Sequence, residues 1–281
     1  MSSTLQGVGI GLRREHFAAI GDCDRTLDWL EIIPENYVGR GGLVRRNLAQ
    51  VRERWSVVAH GVSLSLGGPD PLDLEYVAGL KELLDELEAP FYTDHLCYAT
   101  IGGRNFYDLL PLPFSEEAVV HCAGRIRELA DRLERPVGVE NISYYAQMPG
   151  GSLSEGEFVS AVVREAGCGL LLDVNNVFVN ARNHDEDPVA ALESLPLEAT
   201  LQMHLAGHVE EGGRLIDNHG APVLDEVWSL YRHALSKTGP VPTLVEWDTH
   251  IPPLDRVLDE ADRARELWNE VAGKTPAARS A

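Results

Sequence analysis

The sequence predicts an α/β fold, a single (β/α)8 TIM barrel, and three observations carry that expectation. Eight short apolar runs of strand character recur along the chain, amphipathic helical patterns lie between them, and the C-terminal end of nearly every run carries a His, Asp, Glu or Asn. A chain of 281 residues suits this architecture, since such barrels typically take about 250 residues. The alternative, an open doubly wound sheet, commonly has a glycine-rich first turn, and GVGIG at 7–11 is not a GxGxxG fingerprint.

The elements follow in order. GVGIGLR (7–13) and WLEIIPE (29–35) are the first two strands, and SVVAHGVSLSL (56–66), rich in Val and stopped by a glycine pair, is the third. LEYVAGLKELLDELE repeats apolar residues at three and four behind an Asp, which predicts a capped helix. PFYTDHLCYA (90–99) is the fourth strand, SEEAVVHCAGRIRELADRLE a helix opened by Ser, and PVGVENIS (136–143) the fifth strand. SEGEFVSAVVREAG is the next helix, GLLLDVNNVFV (169–179) reads as strand throughout, and TLQMHLAGH (200–208) is the seventh strand. DEVWSLYRHALSKTG, ended by Gly, and TLVEWD (243–248) supply a further helix and the eighth strand. The longest connections, around 100–115, 144–158 and 180–197, follow strands four, five and six. In a barrel they lie on the C-terminal rim, where active sites are built. One domain is expected over residues 1–272, with the small polar GKTPAARSA (273–281) as a disordered tail.

Composition excludes several classes. Asp plus Glu number 44 against 24 Lys plus Arg, a formal charge of -20, which repels nucleic acid phosphate and offers no basic stripe. No run approaches the roughly 20 apolar residues of a membrane helix. The start, MSSTLQGVGIGLRREHF, has no export pattern, so a cytoplasmic location is expected. Cys23, Cys97, Cys122 and Cys168 lack CxxC spacing and read as reduced, mainly buried thiols.

The informative residues are His60, His95, Glu140, Asp173, His204 and Glu246, each near the C-terminal end of a different expected strand. A barrel brings such ends together. Buried carboxylates need cations or donors, so Glu140, Asp173 and Glu246, each behind mainly apolar residues, call for histidines and metal. Asn176 and the IDNHG turn, with Asp217 and His219, add further ligands. An ion takes about four to six ligands, so a convergent set of this size would fill about two or three ions.

The order His, His, Glu, Asp with a ligand three residues later, His, then Asp-x-His and a final Glu resembles the endonuclease IV and xylose isomerase-like barrels. Closer still, GIGLR, LEIIPENY, HGVSLSLGG, TDHLCY, LLPLPF, ENISYY, LLLDVNNVFVNARNHD, HLAGH, IDNHGAPV and VEWD resemble the DUF692 (UPF0276) family of multinuclear non-haem iron-dependent oxidative enzymes, MbnB-like. These segments run from residue 9 to 248. The resemblance implies a TIM-type barrel with two or three mixed-valence Fe(II)/Fe(III) ions. It also implies O2-dependent oxidation of cysteine in a ribosomally synthesised precursor peptide (RiPP biosynthesis), often delivered by a peptide-recognition partner protein. Carried over by motif, the metal ligands are His60, His95, Glu140, Asp173, His204, Asp217, His219 and Glu246, with Asn176 and His184 next. Glu140 and Asp217 are the bridging candidates; with His208, which would orient a ligand or substrate, they are the expected catalytic residues. Asn176 stands where the nuclease pattern has His; an amide oxygen is a harder ligand and suits iron better than a zinc cluster.

Two rivals remain at this stage. One is a Zn- or Mn-dependent hydrolase or sugar isomerase on the same barrel; the other is a non-enzymatic metal-handling protein, whose site would be closed and saturated. HGVSLSLGG lacks the GK[ST] of a phosphate loop, and there is no GxSxG elbow.

Overall fold

The computed structural model describes residues 5–273. The chain begins with β1 (Val8–Gly11), the one-turn α1 (Phe17–Ile20), β2 (Trp29–Ile32), α2 (Leu43–Arg52), β3 (Ser56–Gly61), α3 (Leu74–Leu87) and β4 (Tyr92–His95). A hairpin of β5 (Tyr98–Ile101) and β6 (Arg104–Leu110) follows, then α4 (Glu116–Leu133), β7 (Val137–Glu140), α5 (Glu155–Ala166), β8 (Gly169–Asp173), α6 (Val174–Asn183) and α7 (Pro188–Ser194). The last third holds β9 (Thr200–Leu205), a hairpin of β10 (Val209–Glu211) and β11 (Arg214–Ile216), α8 (Asp225–Thr238), β12 (Thr243–Val245) and α9 (Leu254–Ala272). Eight strands close in the order β1-β12-β9-β8-β7-β4-β3-β2, and every neighbouring pair is parallel. This is the (β/α)8 barrel that the sequence predicts. Of the expected tail from 273, residues 274–281 lie outside the described residues.

Helices form where periodicity and caps agree. In α9, Leu254, Val257, Leu258, Ala261, Ala264 and Leu267 lie on one face and are buried, against β1 and β12. Each Leu or Val so buried contributes about 1.5–3 kcal/mol. Ser154 opens α5 with a reciprocal capping box to Glu157, worth about 1 kcal/mol.

Register levels the polar strand ends. β4 and β7 pair His95 with Glu140, and β8 and β9 pair Asp173 with His204. Gly61, at the end of β3, has no room for a side chain, because a Cβ there would come 1.8 Å from Tyr92 Oη. The carbonyl of Gly61 instead accepts from His95 Nδ1 at 3.0 Å.

All eight strand expectations ran longer than the strands themselves. Residues 56–66 leave the sheet at Gly61, residues 90–99 divide between β4 and the start of a hairpin, and residues 200–208 leave the sheet at Leu205. The largest difference is at 169–179, where β8 stops at Asp173 and α6 starts at once. The reason is a cap: Asp173 Oδ1 accepts from the backbone N–H of Asn176 at 2.6 Å, while Val174, Val177 and Ala181 are buried at helical spacing. No described helix is long and apolar enough to cross a membrane, and Cys23, Cys97, Cys122 and Cys168 are free.

Candidate metal centre

Four histidines meet at the C-terminal end of the barrel, each with one ring nitrogen tied down. His60 Nδ1 bonds Thr93 Oγ1 at 2.9 Å, and His95 Nδ1 donates to Gly61 O. His219 Nδ1 donates to Asp248 Oδ2 at 3.0 Å, and His204 Nε2 donates to Glu31 Oε2 at 3.3 Å. The other nitrogens point inward. His60 Nε2 and His95 Nε2 are 3.3 Å apart and lie 2.8 and 3.3 Å from Glu140 Oε2. His204 Nδ1 is 3.0 Å from Glu246 Oε2, and His219 Nε2 is 2.8 Å from Asp217 Oδ1 and 3.9 Å from Asp173 Oδ2.

These approaches are close, yet many are not aligned as hydrogen bonds. Glu140 Oε2, Asp173 Oδ2, Asn176 Oδ1, His204 Nδ1 and His219 Nε2 are all buried with no hydrogen-bond partner. An orphaned buried polar atom costs about 1–3 kcal/mol. Five around one space make a donor set in want of cations. Three overlapping groups, His60–Glu140–His204, Glu31–His204–Glu246 and Asp173–His219–Glu246, could each hold an ion. The groups overlap in His204 and Glu246. The donors are imidazole nitrogens, carboxylates and an amide oxygen, a set that fits iron or manganese as well as zinc.

Electrostatics agree with that picture. Burial alone would raise Glu140, but His95 and His60 outweigh it and hold the carboxyl at about 2. Burial is likewise overcome at His60, which Glu140 and Glu31 lift to about 9. Asp173 moves the opposite way: burial drives it well above the carboxylate range against the pull of His219, and Glu140 and Asp217 add to the rise. A cation between these groups would replace the protons that now balance them.

Most of the expected ligands therefore converge: His60, His95, Glu140, Asp173, Asn176, His204, His219 and Glu246. Asp217 reaches the edge, where Asn175 Nδ2 and Ser143 Oγ donate to it at 2.8 and 2.9 Å and His219 Nε2 approaches its Oδ1 at 2.8 Å. His208 stands one step back. Its Nδ1 bonds Asn175 Oδ1 at 2.7 Å, so it reaches Asp217 through Asn175. The structure does not bring His184 to the group: it stacks on Tyr144 with centroids 4.6 Å apart, and its Nε2 donates to Tyr144 O at 3.1 Å. The extended strand expected after Asp173 had placed that residue on a rim loop, whereas it caps the C-terminus of α6.

Residues missing from the sequence expectation are Arg13, Glu31 and Gln202. Arg13 Nη2 bonds Glu246 Oε1 at 3.0 Å and Asp248 Oδ1 at 2.5 Å. Glu31 was visible as an acid inside the apolar run WLEII, the same anomaly that marked Glu140. The cavity above the cluster holds about 550 Å³, and Asn105, Tyr107, Asp108 and Leu109 of β6 form part of its wall.

The model of the family described as "RiPP precursor modification enzyme MbnB/TglH/ChrH" matches residues 7–269. The chain belongs to that family. The chain is also similar to UPF0276 proteins of Acaryochloris marina, 45% identical over 262 residues (93% of this chain, 95% of the relative), and of Pseudomonas aeruginosa, 45% identical over 265 residues (94% and 93%). Among solved structures, D-psicose 3-epimerase from Clostridium cellulolyticum H10 superposes with a TM-score of 0.60 at 11% identity, covering 95% of this chain and 98% of that one. The 3-keto-D-glucoside 4-epimerase YcjR of E. coli gives 0.59 at 16%, covering 93% and 99%. At those identities the likeness establishes that this MbnB/TglH/ChrH member shares their barrel, and nothing about substrate.

Proposed function

We propose that this chain is a multinuclear non-haem iron enzyme that uses O2 to oxidise a cysteine of a ribosomally made precursor peptide. The observation that carries the reading is the set of five unpartnered buried donor atoms around one space in a chain whose family modifies such precursors. His60, His95 and Glu140 would hold one ion, Asp173, Asn176, His219 and Glu246 another, with His204 between them. Bound iron would supply a thiolate-binding Lewis acid and the electrons that dioxygen chemistry requires.

The protein's own part is positioning. Thr93, Gly61, Asp248 and Glu31 each tie one nitrogen of a ligand histidine, so ring orientation is set before metal arrives. Arg13 offsets the charge of Glu246 and Asp248. Asp217, oriented by Asn175 and Ser143, lines the cavity. A peptide suits the opening: Tyr107 is 93% exposed beside the cavity, and a flat aromatic there would rest on an extended chain. A separate peptide-recognition protein would deliver the precursor.

Anaerobic loading with Fe(II), addition of a cysteine-containing precursor with its partner protein, and then O2 should give a mass change on cysteine. An unchanged peptide mass with the iron fully loaded and the partner present contradicts the reading. Zinc in the isolated protein, with no optical response to O2, would favour hydrolysis or isomerisation.

A further inference from the structure

His204 lies between two carboxylates on opposite edges of its ring. Nδ1 faces Glu246 Oε2 at 3.0 Å without hydrogen-bond alignment, whereas Nε2 meets Glu31 Oε1 at 3.2 Å and, aligned, Oε2 at 3.3 Å. Glu31 is 2% exposed and stands on β2, across the barrel from β9. We propose that Glu31 is a positioning residue that fixes His204 as the Nε2–H tautomer and so presents a bare Nδ1 to metal. The proposal rests on the reading of the cluster as a metal centre.

Gln202 is the competitor. Its Nε2 is 2.9 Å from His204 Nε2 and donates to Glu31 Oε2 at 2.6 Å. Were the amide to donate to the imidazole, the ring proton would sit on Nδ1, aimed at Glu246 and in the way of an ion. A hydrogen bond to a charged acceptor is roughly twice as strong as one between neutral groups, and Glu31 also engages the amide. The balance therefore lies with Glu31. The other three ligand histidines are tied by a hydroxyl, a carbonyl and an exposed carboxylate; His204 is tied by a buried one, and such a partner raises a ligand's basicity.

Glu31 could instead ligate metal directly, since it forms a group with His204 and Glu246. The two ring nitrogens face different ways, so an ion on the Glu31 edge takes Nε2 and leaves no proton there. The tautomer separates the cases.

Zinc, being diamagnetic, is the probe. In Zn(II)-loaded wild type with 15N-labelled histidine, His204, assigned by its loss in His204→Gln, should carry its proton on Nε2. A proton on Nδ1, or on neither nitrogen, overturns the proposal. In titrations, Glu31→Gln, nearly isosteric, should weaken zinc binding about 10- to 100-fold at unchanged secondary structure, while Gln202→Met stays within about threefold. Equal affinity of Glu31→Gln and wild type, or the larger loss in Gln202→Met, also overturns it. If Glu31→Gln does not fold, the wild-type spectrum decides. Wild type that binds neither zinc nor iron would sink the metal reading itself, a result distinct from binding that ignores Glu31.

Discussion

Arg13 Nη2 lies 3.0 Å from Glu246 Oε1, which leaves Oε2 as the oxygen turned toward His204 and His219. One carboxylate thus spends one oxygen on a buried cation and keeps the other for the cluster. Arg13→Met should remove one charge-assisted hydrogen bond from Glu246, whose Oε2 still faces His204 and His219, and cost about 2 kcal/mol of metal-free stability, together with weaker metal binding. Urea melts of the metal-free variant check this; a midpoint within error of wild type would contradict it.

Glu140 faces two histidines with Oε2 and accepts from Asn176 Nδ2 with Oε1 at 3.3 Å. If it bridges, Glu140→Ala loses more than one metal per chain and Asn176→Ala about one. His184→Ala, whose ring is engaged with Tyr144, should retain the full complement. Elemental analysis of the three purified variants measures this, and equal losses in all three would rule the bridge out.

Tyr107 sits on an exposed bulge of β6 with a positive φ of 56°, an unusual conformation for a bulky residue. Tyr107→Ala should raise KM for the precursor peptide several-fold while leaving kcat and metal content close to wild type. An unchanged KM would remove Tyr107 from peptide binding.

Glu155, at the start of α5, has its carboxyl raised to about 7, chiefly by burial, with Glu186 adding to the rise and hydrogen bonds from Asn180 and Tyr144 opposing it. The folded protein therefore holds a proton that the unfolded chain, at the ordinary 4.5, releases. Stability falls as pH rises through this window and levels off above about 7. Glu155→Gln should remove that slope and be more stable at pH 8 by about 2 kcal/mol after allowance for partial exposure. Parallel pH–stability curves for the two proteins would show that Glu155 does not titrate in that range.

The barrel was legible because its strands are apolar runs with polar ends, and His60, His95, Glu140, Asp173, His204 and Glu246 mark six of those ends directly. What the sequence concealed was geometric. VNNVFV is β-rich in composition, yet Asp173 caps a helix there, and that turn of helix places Asn176 in the cluster while it carries His184 away to Tyr144. Arg13, two residues beyond β1, and Glu31, in β2, lie far along the chain from Glu246 and His204, and barrel closure alone makes them neighbours. Spacing rules register local pairs and miss such contacts. His208 was expected to orient a ligand or substrate rather than to bind metal, and the chain leaves β9 between His204 and it. Gly207 then passes so close to Ala221 O that a Cβ would come within 2.1 Å, and His208 is left facing Asn175.

The central claim is that these side chains hold more than one metal ion. The direct test is metal stoichiometry of the anaerobically purified, Fe(II)-loaded wild type beside a His60→Ala, His219→Ala double variant. The account predicts two or more tightly held ions per chain in wild type, and loss of them in the variant at unchanged secondary structure. A wild-type content of one ion or none, or equal content in both proteins, would contradict it.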